Sequence, residues 1–136
     1  MTECIFCKIA KGEIPCKKLW ETKDLICFLD IDPVSKGHCL IVPKEHFSTL
    51  NETPDSLLSW ILPKIKDTAK LLQTRLGATG YNVLQNNGVV AGQEVLHLHF
   101  HIIPMYEEDN AHVVCGKTTN SDAKDFDSIL KKLKIN

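Results

Sequence analysis

The chain has 136 residues, enough for one domain with a buried core and too few for two comfortable ones. Its composition is ordinary for a globular protein, with 43% hydrophobic residues, 24% charged residues and a formal net charge of −1. The balanced charge excludes a large basic surface for nucleic acid or an anionic membrane, and no apolar run approaches the roughly 20 residues of a membrane span. We therefore expect a single domain over residues 1–136, with no nucleic acid or membrane partner.

The cysteines and the start of the chain bear on its compartment. The first residues, MTECIFCKIAKGEIP, contain no apolar run of signal-peptide length, which predicts a cytoplasmic protein. The six cysteines of such a protein are thiols or metal ligands rather than disulfides. Cys4 and Cys7 form a Cys-x-x-Cys pair. The other four stand apart and are predicted to be small buried residues: Cys16, Cys27, Cys39 and Cys115.

The first part of the chain predicts a helix followed by three strands. Ile5, Phe6 and Ile9 recur at helical spacing, and Gly12 is a suitable helix end. Compact apolar runs separated by turn-forming residues then indicate an antiparallel meander. The predicted elements are a helix over residues 4–12 and strands over residues 17–22, 25–31 and 37–43.

The long helical pattern of the chain lies between Thr53 and Gly77. Thr53 or Asp55 is a suitable N-cap, and Gly77 is a suitable end. Pro63 lies inside the pattern, so a kink or a break is expected there. The apolar residues that recur at intervals of three and four are Leu57, Leu58, Ile61, Ile65, Ala69, Leu72 and Leu76.

The last part of the chain predicts two more strands and a helix. The strands cover residues 80–86 and 96–104, and a glycine-rich loop over residues 86–95 joins them. An amphipathic helix is predicted from Ser121 onward, with the apolar residues Phe126, Ile129, Leu130 and Leu133. This order of elements indicates an α+β fold, with a five-stranded antiparallel sheet, one long helix and short terminal helices.

Three of the six histidines lie within five residues, in the stretch HLHFHIIP. On a strand, His97, His99 and His101 would share one face, while the apolar residues between them would point to the core. Protonating one imidazole raises the cost of protonating the next, so such a row gives a surface strand no advantage. The row therefore indicates metal ligation, acid–base chemistry or nucleophilic catalysis.

The loop NNGVVAGQ leads directly into this row. Gly88 and Gly92 would let a ligand approach the backbone closely, and the exposed amides of such a loop suit phosphate oxygens. Alone, the loop is equally typical of a hairpin connection. Beside three histidines it indicates a phosphorylated substrate.

Three segments of the sequence resemble successive blocks of histidine triad nucleotide-binding proteins. They are CIFCKIAKGEIP, FLDIDPVSKGHCLIVPKEH and NNGVVAGQEVLHLHFHIIP, and in this order they span residues 4–104. The tail beyond Met105 matches less well. The resemblance implies a homodimer of α+β subunits that hydrolyses a bond at the α-phosphate of a purine nucleotide and needs no metal for catalysis.

In this resemblance, catalysis depends on the three histidines. His99, the middle one, would attack phosphorus and form a nucleotidyl-histidine intermediate. Imidazole suits this role because it is nucleophilic when neutral and a good leaving group once attached to phosphorus. His101 would contact the phosphate and help proton transfer to and from the leaving group. His97 completes the catalytic triad.

The resemblance also implies a nucleotide-binding site. Asp30 matches the acid that holds the ribose hydroxyls, although its residue type fits an exposed acid beside a turn equally well. Asn86 and Gln93, with Gly92 of the loop between them, match the contacts on the phosphate side. Periodicity alone favours plain core for the five residues that match the base and ribose pocket, namely Ile5, Phe6, Ile9, Phe28 and Ile31.

A structural metal site is the second implication. Cys4 and Cys7 supply half of a tetrahedral zinc site, and the best candidates for the other half are His46 and His97. We expect structural Zn²⁺ that ties the N-terminal helix to the triad strand and leaves His99 free for chemistry. The alternative is two helix cysteines, one of them buried.

The leading functional prediction is a phosphoramidase that releases AMP or GMP from a nucleoside phosphoramidate or an acyl-nucleotide. Glu94 stands where the phosphoramidase branch tends to have serine near the leaving group, so a dinucleoside polyphosphate hydrolase stays open. Two further alternatives are a nucleotide-binding module with incidental turnover and a redox or zinc-sensing protein built on Cys4 and Cys7. His38 and His112 have no partner in the sequence and are predicted to be surface or internally satisfied histidines.

Overall fold

The elements of the fold come from a computed structural model that describes residues 4–109 and 122–134. Its helices are α1 (Ile5–Ala10), α2 (Asp55–Leu76) and α3 (Phe126–Leu133). Its strands are β1 (Lys18–Glu21), β2 (Leu25–Leu29), β3 (Cys39–Pro43), β4 (Gly80–Leu84) and β5 (Phe100–Met105). The residues Cys115, His112 and Ser121, which the sequence predictions include, lie outside the described ranges.

The five strands form one antiparallel sheet in the order β1-β2-β3-β5-β4. The last strand in the sequence, β5, therefore lies inside the sheet between β3 and β4. Leu40 of β3 is paired with His101 of β5, which brings the end of the histidine row beside β3. The arrangement confirms the predicted α+β fold with a five-stranded antiparallel sheet.

Both faces of β2 are covered, which explains why this strand is an unbroken apolar run. Leu25, Cys27 and Leu29 are buried in one cluster with residues of α2 and α3. Ile26 and Phe28 are buried in a second cluster with residues of α1. Because alternate residues of a strand point to opposite faces, the two clusters lie on opposite sides of the sheet. His99 and His101 lie with Phe6 and Phe28 on the α1 side.

The long helix α2 is continuous from Asp55 to Leu76. Gly77 ends it as predicted, in the left-handed conformation with a φ of 81°. The N-cap is Pro54, the residue between the two predicted caps, and no side chain caps the first turn. The helix runs through Pro63, so of the kink or break expected there the break is wrong. Among the described residues, no helix combines the length and apolar character needed to cross a bilayer.

The strand that carries the histidines begins later than predicted. β5 starts at Phe100, so His97 and His99 precede it on an irregular segment. The N–H of Leu98 donates to the carbonyl of Phe47 at 2.6 Å, and the Leu98 side chain is fully buried. Leu98 therefore points into the core as predicted, although it precedes β5 and is not part of a strand. The other strands and the helices α1 and α2 differ from their predicted ranges by at most two residues at either end.

Candidate active site and metal site

A cavity of about 390 Å³ lies on the α1 side of the sheet and contains two histidines of the row. We call it the histidine pocket. Apolar side chains form much of its wall, and three carboxylates lie in it, those of Asp30, Asp32 and Glu94. Its other lining residues are Ile5, Phe6, Ile9, Phe28, Ile31, Val34, His38, Leu40, Leu84, Asn86, Gly92, Val95, His99, His101 and Ile103.

A second cavity, of about 560 Å³, lies between β1 and α2. Charged side chains such as Lys64 and Asp67 line it, and Trp20 Nε1 donates to Thr68 Oγ1 at 2.9 Å within the lining. The lining contains neither histidine nor cysteine. The histidine pocket is therefore the candidate active site, although the other cavity is larger.

His99 lies in the histidine pocket with one ring nitrogen already engaged. Its Nδ1 is 2.7 Å from the carbonyl oxygen of His97. Because a carbonyl can only accept, Nδ1 carries the proton and the lone pair is on Nε2. Phe6 packs edge-on against the ring, with 5.1 Å between centroids, and burial lowers the pKa of His99. A neutral, immobilised imidazole with its lone pair on Nε2 can act as a nucleophile.

His101 lies beside His99, with 5.0 Å between the ring centroids. Its Nδ1 is 2.9 Å from Nε2 of His38 and 4.0 Å from Oδ2 of Asp30. Burial, followed by the neighbouring histidines, lowers the pKa of His101 to about 4. Burial also lowers the pKa of His38 to about 4 and raises the pKa of Asp30. Both rings are therefore neutral near pH 7.

His97 is absent from the lining of the histidine pocket and belongs to a second group of side chains. Its Nε2 is 2.8 Å from the carbonyl oxygen of Pro43, so Nε2 carries the proton and Nδ1 has the lone pair. Nδ1 is 3.3 Å from Cys4 Sγ, 3.5 Å from Cys7 Sγ and 3.1 Å from His46 Nδ1. The first histidine of the row thus faces the Cys-x-x-Cys pair.

The four side chains of Cys4, Cys7, His46 and His97 have the spacing of a tetrahedral metal site. With Zn–N bonds of about 2.0 Å and Zn–S bonds of about 2.3 Å, the edges of such a tetrahedron are about 3.3–3.8 Å long. The observed separations of 3.3 and 3.5 Å lie within this range, and the 3.1 Å between the two imidazole nitrogens lies slightly below it. A set of two sulfur and two imidazole ligands with no open position suits a structural metal ion. The group could hold a metal that joins α1 to the segment before β5.

The predicted binding residues lie in the histidine pocket with the exception of Gln93. The Gln93 side chain is buried, and its Oε1 accepts the N–H of Gly88 at 2.7 Å. Its Nε2 donates to the carbonyls of Ser48 at 2.7 Å and Val95 at 3.1 Å. These bonds use both N–H groups and the oxygen of the Gln93 amide to hold the glycine-rich loop. The amide therefore has no N–H group left to donate to a phosphate.

His38 is the histidine of the pocket that the sequence did not single out. It is 3% exposed and lies against His101, so it is not a surface histidine. The alternation of His38, Leu40 and Val42 indicates a shared face, and the last two are buried in the α1-side cluster. Only the register of β3 against β5 brings His38 to His101, and a single sequence does not contain that register.

Comparison with known proteins assigns this chain to a family. Residues 11–108 match the HIT domain family. An uncharacterized HIT-like protein of Methanocaldococcus jannaschii is 49% identical over 131 residues, which cover 96% of this chain and 98% of that protein. The adenosine 5'-monophosphoramidase HNT1 of Candida albicans is 48% identical over 132 residues, which cover 94% of this chain and 85% of that protein.

A solved structure adds the fold to this comparison. The crystal structure of a Zn-bound histidine triad family protein from Mycobacterium smegmatis is similar, with a TM-score of 0.82 and 29% identity. The similarity covers 96% of this chain and 92% of that one. With the domain match over most of the sequence and relatives nearly half identical, this chain belongs to the histidine triad family.

Proposed function

We propose that this protein hydrolyses nucleoside phosphoramidates and acyl-nucleotides and releases AMP or GMP through a nucleotidyl-histidine intermediate on His99. The observation that carries the proposal is the orientation of His99. Its Nδ1–H is donated to the His97 carbonyl at 2.7 Å, which leaves the lone pair of Nε2 for a substrate in the histidine pocket. The name of a relative, adenosine 5'-monophosphoramidase, supports the same class of reaction.

The reaction has two displacement steps at phosphorus. In the first, Nε2 of His99 attacks the α-phosphorus, the bond to the leaving nitrogen or oxygen breaks, and the neutral ring of His101 gives its proton to the leaving group and becomes an imidazolate. In the second, water attacks the nucleotidyl-histidine, His101 takes a proton from the water, and the bond between phosphorus and His99 breaks. The products are the protonated leaving group and a nucleoside monophosphate, and both histidines return to their starting states.

The apolar part of the pocket fits a nucleoside. Ile5 and Ile31 lie in the lining but are 43% and 75% exposed. A purine base that covers such side chains is stabilised, because apolar surface on both molecules leaves water. We assign the ribose hydroxyls to Asp30 and the phosphate side to Asn86 and Gly92. Asn86 Nδ2 already lies 3.3 Å from the Gly92 carbonyl, so its direction is set before a ligand binds.

The charge of the pocket favours an amine over a polyphosphate as the leaving group. Asp30, Asp32 and Glu94 line the pocket, and no lysine or arginine among the described residues does. A polyphosphate would bring several negative charges close to three carboxylates, whereas an amine is neutral or positive. We therefore place a dinucleoside polyphosphate hydrolase second. A nucleotide-binding module comes third, because it has no need for the oriented lone pair of His99.

The metal of the second site is proposed to be structural Zn²⁺ held by Cys4, Cys7, His46 and His97. The tetrahedral spacing and the Zn-bound relative support this assignment. Neither reaction step needs it, since His99 and His101 carry out the transfer. The five cysteines within the described residues are free thiols, which is typical of a reducing compartment such as the cytoplasm that we propose.

A homodimer is the quaternary structure that we propose. β4 is at one edge of the sheet, and its Tyr81 and Val83 are 41% and 45% exposed. On α2, Trp60 and Leu62 are 66% and 68% exposed. A strand edge with unpaired backbone groups and apolar side chains favours pairing with another chain.

The test of the proposed function is a single-turnover reaction with an adenosine phosphoramidate, followed by intact-mass measurement. We expect a protein adduct of one AMP in the wild type, and we expect His99→Asn to lower AMP release by at least about 1,000-fold. AMP binding to His99→Asn, measured by calorimetry, is the control for a correctly folded pocket. Binding without turnover in the wild type would favour the binding module, and faster cleavage of a dinucleoside polyphosphate would favour the second candidate.

A further inference from the structure

His38 is buried in the histidine pocket, yet neither step of the proposed reaction uses it. Its Nδ1 is 3.0 Å from the backbone nitrogen of Val34. A backbone N–H can only donate, so Nδ1 of His38 accepts and carries no proton. Burial lowers the pKa of His38 to about 4, so the ring is neutral and has one proton. That proton is therefore on Nε2.

The proton on His38 determines where the proton of His101 lies. Nε2 of His38 is 2.9 Å from Nδ1 of His101, which is a hydrogen-bond distance. Two N–H groups cannot face each other at this separation, so Nδ1 of His101 is the acceptor and its own proton is on Nε2. Oδ2 of Asp30 is farther away, at 3.5 Å from His38 Nε2 and 4.0 Å from His101 Nδ1.

We propose that His38 is a positioning residue that holds His101 in the tautomer with its proton on Nε2, ready to protonate the leaving group. This inference rests on the proposed function, because the leaving group receives the proton. Two adjacent rings are thereby set in opposite tautomers by the backbone. The carbonyl of His97 leaves a lone pair on Nε2 of His99, and the N–H of Val34, acting through His38, leaves a proton on Nε2 of His101.

The turn before β3 keeps His38 at this distance from His101. The N–H of His38 donates to the carbonyl of Ser35 at 3.1 Å. The fully buried Ser35 hydroxyl in turn donates to the carbonyl of Pro104 on β5. The turn is thus bonded directly to the strand that carries His101. Rotating the His38 ring would break its own buried hydrogen bonds to the N–H of Val34 and to His101, which is costly.

The same network resembles a metal site, because Asp30, His38 and His101 bring three potential ligand atoms close together. A metal ion there would need the lone pair of His38 Nε2. The ring would then either lose its only proton or place it on Nδ1, against the N–H of Val34. Both states are unfavourable near pH 7. The network is therefore built to hold a proton in place.

The test compares two substitutions of similar length at one position. His38→Gln keeps an N–H donor near the place of Nε2, whereas His38→Met removes it. The first measurement is the ¹⁵N spectrum of the His101 ring in the ligand-free protein, which reports the nitrogen that carries the proton. We expect Nε2 in the wild type and in His38→Gln. In His38→Met we expect a population with the proton on Nδ1, because the Asp30 carboxylate becomes its available acceptor.

The second measurement is the dependence of kcat on the leaving group. An adenosine phosphoramidate of an alkylamine needs a proton on its leaving nitrogen, whereas the p-nitrophenyl ester of AMP releases a stable phenolate. We expect His38→Met to slow the alkylamine substrate by about 100-fold and the ester by less than about 3-fold. His38→Gln should recover most of the lost rate on the alkylamine substrate.

Two outcomes would overturn the proposal. Equal losses on both substrates in His38→Met would show that the side chain only supports the fold. A proton on Nδ1 of His101 in the wild-type spectrum would contradict the proposed tautomer directly, and that result does not require any variant to fold. If the wild type cleaves neither substrate, the proposed function fails separately, and the ¹⁵N spectra still decide whether His38 sets the tautomer of His101.

Discussion

Glu94 lines the histidine pocket, and its charge acts on the nucleophile by raising the pKa of His99 against the larger lowering by burial. Its carboxylate is thus close enough to the reacting atoms to act on the charge of a departing group. A carboxylate attracts an ammonium group and repels a phosphate or sulfate, and at a separation of about 4 Å this interaction is worth roughly 1 kcal/mol in water and more in a partly buried site. Residue type at this one position can therefore select between leaving groups.

We expect Glu94→Gln, which keeps the size of the side chain, to reduce this selection. The ratio of kcat/KM for a phosphoramidate with a cationic amine to kcat/KM for an anionic leaving group should fall by about 5–10-fold. The measurement is steady-state kinetics with both substrates. Glu45→Gln removes a carboxylate outside the pocket lining and is the matched control, which should leave the ratio as it is. An unchanged ratio in Glu94→Gln would contradict the electrostatic role.

At the scale of elements, the turn before β3 is packed against both α2 and β5. Gly37 has a φ of 89°, a backbone conformation that is strained for any residue with a Cβ. A Cβ at this position would lie 2.7 Å from Leu76 Cδ1, 3.2 Å from Leu72 Cδ2 and 3.3 Å from Pro104 Cγ. The absence of a side chain at Gly37 thus lets the helix end, the turn and the strand meet.

We expect Gly37→Ala to lower the free energy of unfolding by about 2–4 kcal/mol, because backbone strain and overpacking add together. Gly12→Ala is the matched control, since Gly12 has a φ of 79° but no atom within 4 Å of an added Cβ. It should cost only the backbone strain, about 1–2 kcal/mol. Urea unfolding of the two variants measures the difference. Equal losses would mean that the three elements relax around the added methyl group.

The elements themselves could be predicted because apolar spacing reports which face is buried. The unbroken apolar run of β2 and the apolar residues of α2 at intervals of three and four are local patterns, and both elements lie where the sequence indicates. His97 shows the limit of such patterns. Its alternation with His99 and His101 predicts one row on a strand, but its ring meets Cys4, which is 93 positions away in the chain.

The pairing of His38 with His101 has the same origin, since 63 positions separate them and only strand register joins them. The resemblance to known proteins could supply Asp30 and the apolar wall, because their motifs are short and contiguous. It did not supply the tautomers, which depend on single backbone groups such as the N–H of Val34. The resemblance thus supplies the distant ligand set of Cys4, Cys7, His46 and His97, whereas the contact of His38 with His101 and the tautomers it sets need the structure.

At the scale of the whole molecule, the metal site and the histidine pocket share His97. Its ring belongs to the group with Cys4, Cys7 and His46, and its carbonyl accepts the Nδ1–H of His99. A metal ion in that group would connect α1, the segment after β3 and the segment before β5, which are distant in the sequence. Cross-linking three distant segments of the folded chain stabilises it, because the unfolded chain cannot present the four ligands together.

Removing the metal should therefore lower stability across the whole molecule. We expect chelation of zinc-loaded protein to lower Tm by about 5–15 °C, as follows from a ligand that binds the folded state far above its Kd. Zinc content by elemental analysis and Tm by calorimetry are measured on the same samples. Cys7→Ser should lose both the zinc and the chelator effect, whereas Cys16→Ser, at a half-buried thiol outside the ligand group, should keep both. If chelation removes the zinc and Tm stays the same, the prediction is contradicted. The four ligands would then bind an ion that the fold does not depend on.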